Sequence, residues 1–239
     1  MAAASGSPAQ PLQEESGWSL AAQVLAIAGA AYSYGTLPDR LISAQSSTFS
    51  TVRWAAPILW GAFLVSIVAA LPPPGARAVI REPESKAAWR RLAIALFLLS
   101  AVAQWWVISL LVHFILHGKV ASNGTELLHT ATRIEGTTIV LYAFLFWLVD
   151  SGGPIARRLQ EPRSRDFLFP QQESAELASD GWRPSFVDYL YVAFTNATAF
   201  SPTDVMPLSP RVKLLMMSEA AASAITLLMV AARAVNILR

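Results

Sequence analysis

Cysteine is missing from all 239 residues. Disulfides, thiol nucleophiles and cysteine metal sites are thereby excluded. Charge is scarce as well, at 14% of the chain, where a soluble domain carries about 25%. The deficit is concentrated in long apolar runs, which is the signature of a membrane protein. No Lys or Arg precedes the first apolar run, so 1–17 reads as a disordered tail rather than a cleaved signal. There is no Gly-x-Ser-x-Gly elbow, and Gly152-Gly153-Pro154 lacks the lysine of a phosphate loop. No internal repeat of fixed period is present. The chain therefore reads as neither an enzyme nor a cofactor carrier. A net charge of +2 with pI near 9.1 fits basic loops beside anionic lipid rather than a nucleic-acid partner.

What is present is a succession of apolar segments. Trp18–Leu37, Trp54–Leu71, Leu92–Leu116 and Thr130–Val149 make a four-helix membrane region over 18–149. Pro38, Pro72-Pro73-Pro74 and Gly152-Gly153-Pro154 punctuate them, because proline cannot continue the helical ladder. Residues 150–185 show neither helical nor strand period and read as a polar, solvent-facing cytoplasmic loop. Phe186–Met206 and Val212–Leu238 close the chain. The fold class is all-α: a polytopic membrane bundle of six segments, with five spanning helices and one re-entrant helix as the alternative.

Basic residues favour the cytoplasmic side. With both termini inside, Arg77, Arg81, Lys86, Arg90, Arg91, Arg157, Arg158, Arg163, Arg165, Arg183, Arg233 and Arg239 fall inside. Arg40, Arg53, Lys119, Arg133, Arg211 and Lys213 fall outside. The excess inside favours a multi-pass protein of the cell membrane with both termini cytoplasmic, in which Phe186–Met206 crosses as a fifth helix.

The stretch Asp188–Pro207 reads DYLYVAFTNATAFSPTDVMP. An aromatic short helix leads to a polar turn and then to a long helix rich in small residues. This order, over 186–239, resembles the pore module of two-helix potassium channels. Thr198, Asp204 and Pro207 match that family's register, as does the aromatic lead-in from Tyr189 to Phe194. The filter departs from it: Ser201 and Thr203 replace both glycines and Pro202 replaces the tyrosine. Proline fixes its own φ and restricts its predecessor, which argues against a potassium-type carbonyl cage. The Asp-Tyr-Leu-Tyr…Phe-Thr segment before a last helix is also similar to an uncharacterised group of bacterial inner-membrane proteins. The channel resemblance implies a homo-oligomeric path for a small cation through the lipid bilayer. It also implies re-entry from outside, which the charge distribution opposes. A non-conducting scaffold or accessory subunit is the rival reading.

Several residues are candidates for an ion pathway, each with a plain alternative. Glu219 lies about two turns inside the last span, where an ionisable group is costly; it is either a cation or proton site or an interfacial acid satisfied by neighbours. Asp204, with Ser201 and Thr203, is either a cation-collecting turn or ordinary turn chemistry before Pro207. Thr195, Asn196 and Thr198 either line a path or bond to neighbouring helices. His113 and His117 share a helix face at zinc-ligand spacing, but no further ligand motif accompanies them. Arg133 and Glu135, two apart, point to different faces, each toward another helix or the interface.

Overall fold

Three helices dominate the architecture, and each is long and apolar enough to cross a membrane. The computed structural model describes residues 17–35, 58, 61–62, 83–116, 124–158, 164–174, 176, 182–199 and 204–237. The N-terminal tail and nearly all of Trp54–Leu71 lie outside them. Helix α1 spans Gly17–Gly35, α2 Pro83–Leu116, α3 Gly124–Val149 and α4 Pro154–Arg158. A two-residue strand β1 (Phe167–Leu168), a short α5 (Pro170–Glu173) and α6 (Phe186–Ala199) follow. Strand β2 (Met206–Pro207) and α7 (Pro210–Ile237) complete the order. Four of these helices, α2, α4, α5 and α7, begin on proline, whose fixed φ and missing N–H suit a first helical position. Ser185 caps α6: its N–H and its hydroxyl both donate to Asp188 Oδ2 at 2.7 Å.

Helix α3 is the axis of the bundle. Of its apolar window 83% is buried, against 33% for the windows of α2 and α7. The reason is its sequence: Leu141 to Val149 is apolar around the whole circumference and buried throughout, as an enclosed helix requires. Helices α1, α2, α6 and α7 pack around it. Phe144 stacks on Phe97 of α2 at 5.1 Å and meets Phe186 of α6 at 4.4 Å. Such ring pairs add about 0.5–1.5 kcal/mol each beyond their buried area. On α7 the inner stripe is Val212, Met216, Glu219, Ala222, Ser223, Thr226 and Val230, at helical spacing. A carboxylate thus sits in a stripe otherwise made of small and apolar residues.

The backbone of Phe186–Met206 does not run through the bundle from end to end. Phe186, at the start of α6, packs edge-on to Trp147 near the end of α3. After α6 the chain returns to that same end, where β2 pairs antiparallel with β1, Phe167 opposite Pro207. The Leu208 N–H donates to the Asp166 carbonyl at 2.8 Å. Helix α7 starts there too, with Arg211 held on Asp166. So α6 and α7 leave one end of the bundle side by side and run parallel. The lengths agree: α6 has 14 residues, about 21 Å, against a hydrocarbon core of about 30 Å. Arg211 and Lys213 therefore share an end with Arg90 and Arg157, not the opposite side assigned from the charge count.

Residues 150–185 are likewise not simply a solvent-facing loop. Asp166, Phe167 and Phe169 are buried. Phe167 meets Phe146 and Tyr189 edge-on at 5.4 and 6.1 Å, and Phe169 meets Tyr189 at 5.5 Å. The segment is a cap over the end of α3.

Candidate functional site

Two polar clusters are buried in this bundle. The first is the cap. An α-helix leaves its last four carbonyls without partners. At the end of α3 these are met by arginines: Arg90 of α2 donates to the carbonyls of Leu148 and Val149 at 3.0 and 3.3 Å. Arg157 of α4 donates to those of Trp147 and Asp150 at 3.0 and 2.7 Å. Positive charge is favourable at a helix C-terminus. The turn that follows, Ser151-Gly152-Gly153, has positive φ at all three residues. It turns the chain back so that Asp150 and Asp166 face one another's backbone. Asp150 Oδ1 accepts from the N–H groups of Asp166 and Phe167 at 3.0 and 3.2 Å. Its Oδ2 accepts from the Tyr189 hydroxyl of α6 at 2.6 Å, and the Arg157 guanidinium lies 5.0 Å over the Tyr189 ring.

Asp166 closes the cap. It accepts both arms of Arg211 at 2.7 Å and the Ser151 N–H at 3.0 Å. Burial opposes its ionisation, but the bonds from Arg211 and from the Ser151 backbone outweigh that and hold the carboxyl below the usual carboxylate range. The carboxylates, the arginines and Tyr189 of this cluster all have partners, while Trp147 Nε1, Gln171 Oε1 and Ser209 Oγ nearby are buried without a well-formed hydrogen bond; the cluster sets where α6 and α7 begin.

The second cluster is what that geometry brings together. Asn196 lies ten residues into α6, about 15 Å, and Glu219 nine residues into α7, about 13 Å. Parallel helices starting level place them side by side. The Asn196 Nδ2 donates to Glu219 Oε2 at 2.7 Å and to the Met216 carbonyl at 3.0 Å. Glu219 is 0% exposed and Asn196 2%. One turn further along α7 comes Ser223, also fully buried, lying beside Glu135 of α3. Glu135 is within electrostatic reach of Glu219. Glu135 Oε1 and Oε2, Glu219 Oε1 and Ser223 Oγ are all buried without a well-formed hydrogen bond. The neighbouring polar groups are committed elsewhere. Gln104 of α2 donates to the Ile134 carbonyl and to Thr137 and Thr138. Trp105 and Tyr142 both bond to Ser218, at 3.0 and 2.6 Å.

Of the residues singled out in the sequence, Asn196 and Glu219 meet. Thr195 and Thr198 do not join them: their hydroxyls bond back to Tyr191, Val192 and Phe194 carbonyls of their own helix. Asp204 is exposed at the cap end, away from Glu219. Ser201 and Thr203 lie outside the described residues, as does His117. His113 is exposed, and no group of three acid, histidine or cysteine ligands occurs among the described residues. Glu135, expected to reach another helix or the interface, does face other helices, and Ser223 is a functional candidate that the sequence pattern did not single out. Their signal was available: Glu135 follows the last basic residue of α3 and precedes fourteen residues without charge, and Ser223 is one turn from Glu219.

The protein is a helical membrane protein, and its lipid-embedded part holds two carboxyl groups that no described basic side chain bonds. No protein family matches the chain, and neither does any curated protein or solved structure.

Proposed function

We propose that the protein is a permeation protein for a small cation, with Glu219 as the ion site. Asn196 holds Glu219 in place, and Ser223 and Glu135 continue the path toward the far end of the bundle. One observation carries this reading: Glu135, Glu219 and Ser223 are buried together among spanning helices, Glu135 beside Ser223, and no described basic side chain bonds either carboxyl. Ionisable groups at that depth are expensive and mark ion or proton routes when they are not paired. The pair is enclosed within one chain, so this path needs no second copy.

The arrangement of α6 supports a re-entrant reading: five spanning helices and one half-length helix that enters and leaves on one side. The order of short helix, return and long helix is that of a channel pore module; the side of entry is reversed. Arg90, Arg91, Arg157, Arg158, Arg165, Arg183, Arg211 and Lys213 all lie at the cap end, with Arg133 and Arg233 toward the other. By the positive-inside rule the cap is cytoplasmic and α6 enters from there. That removes the conflict between the charge pattern and a pore-like order.

The test is cation flux into liposomes holding the purified protein. Wild type conducts, Glu219→Gln does not, and both are monodisperse in detergent. Equal flux in the two would remove Glu219 from the path. A second reading, a non-conducting scaffold, draws on the densely packed α3 and on Thr195 and Thr198 bonding only their own helix. It predicts no flux of any cation from a correctly folded sample.

A further inference from the structure

We infer that the cation is the proton, and that Glu135, Ser223 and Glu219 form a short relay for it. The inference rests on the permeation reading above and adds the identity of the ion. The first argument is placement. Glu219 lies about 13 Å along α7 from the cap and Ser223 about 19 Å, while Glu135 lies about 21 Å from the cap end of α3. The unpartnered oxygens are therefore strung along the bundle axis instead of converging on a point. A metal cation needs convergence: calcium takes six to eight oxygens, and magnesium demands an octahedron. A proton needs only successive acceptors within reach.

The second argument is the chemistry of the groups. The Asn196 N–H is aimed at Glu219, and a donor aimed into a site repels a metal cation. Ser223 carries a hydroxyl, which both accepts and donates. It is the residue type a relay needs between two carboxyls. The third argument is charge. Helix α2 faces this region with Gln104 and Trp105, which are neutral, and α6 with Asn196. On α3 the other described ionisable side chains are Tyr142, committed to Ser218, the exposed His129, and Arg133, two residues from Glu135 and so on another face. Among the described residues no basic side chain bonds either carboxyl, which suits a mobile positive charge there. In the elementary step the O–H bond of a protonated Glu135 breaks as Ser223 Oγ accepts the proton. Ser223 passes its own hydroxyl proton to Glu219 Oε1. One carboxylate exists before and after, and nothing is oxidised or reduced.

Proteoliposomes with an internal pH dye, under a potassium–valinomycin potential, read proton entry; a sodium-sensitive dye reads sodium under the same potential. The expected result is a proton signal, no sodium signal, and loss of the proton signal in Glu219→Gln and in Ser223→Ala. Infrared difference spectra give a second readout. A protonated-carboxyl carbonyl band that shifts in heavy water is expected, and its loss in the Glu135→Gln, Glu219→Gln double variant. Sodium or potassium flux without proton flux overturns the inference and leaves the permeation reading standing. No flux of any cation overturns that reading, and the relay with it. Absence of the carboxyl band, or full proton flux in Ser223→Ala, overturns the relay itself.

Discussion

Replacing Asn196 by leucine removes the one hydrogen bond that Glu219 receives, at 2.7 Å between two buried side chains. The size of the effect can be bounded from two directions. A hydrogen bond to a charged group is worth about 1.5–3 kcal/mol in soluble proteins. Between lipid-embedded helices the coupling is smaller, about 0.6 kcal/mol on average and up to about 1.7, because the separated helices find other partners. Here no other described donor reaches Glu219, and Oε1 is already without one. The coupling should therefore fall toward the upper end, about 1–1.7 kcal/mol. A double-mutant cycle isolates it: Asn196→Leu, Glu219→Met, and the two together, each unfolded in detergent micelles. The double variant should be less destabilised than the sum of the singles, since replacing both partners by apolar groups of similar shape leaves nothing unsatisfied. Additivity within about 0.5 kcal/mol would show that the two side chains do not meet. It would remove the basis for placing α6 beside α7.

Two further outcomes test the cap. Gly153 has φ 91° and ψ 175°, a region open essentially to glycine alone, and an added Cβ would sit 3.0 Å from both Arg90 Cδ and the Leu148 carbonyl. Gly153→Ala should cost about 1–3 kcal/mol and lower the melting temperature in detergent; an unchanged melting temperature would contradict the turn. Asp166 is held below the ordinary carboxylate range chiefly by Arg211, against the cost of its burial. Its folded value is depressed, so the stability it contributes is present above the ordinary carboxylate value, about 3.9, and is lost as pH falls through the lower folded value. Acid melts of wild type and Arg211→Gln should separate above the ordinary carboxylate value and converge as pH falls through the lowered folded value; parallel curves throughout would show the bridge to be irrelevant.

The long helices were legible because a lipid-facing span must satisfy its backbone internally and be apolar over its length. Glu219 was legible for the same reason, as a charge where none is cheap. The return of the chain to the cap end after α6 was not legible because composition records apolarity, not direction. Helix α6 stops at Ala199, and a two-residue strand pairing across forty residues leaves no periodic trace. The sequence pattern therefore separates Arg211 from Arg90 and Arg157, whose end of the bundle it shares. The cap was invisible for another reason. Asp150, Asp166 and Tyr189 are ordinary turn and helix residues one by one, and only the fold brings them to 2.6–3.2 Å of shared partners. Glu135 and Ser223 take their meaning from each other across two helices, which no pattern within one helix shows.

Everything at the Glu219 site depends on α6 and its return lying on one side of the membrane. The chain has no cysteine, so single cysteines can be introduced into an unmodified background. Ser164→Cys, before β1, and Leu208→Cys, after β2, flank the segment and are exposed, while Leu128→Cys, also exposed, marks the far end. In sealed vesicles of one orientation an impermeant maleimide should label 164 and 208 from the same side and 128 from the other. Labelling of 164 and 208 from opposite sides would mean that the segment crosses, and Asn196 and Glu219 could not then be neighbours in the way described.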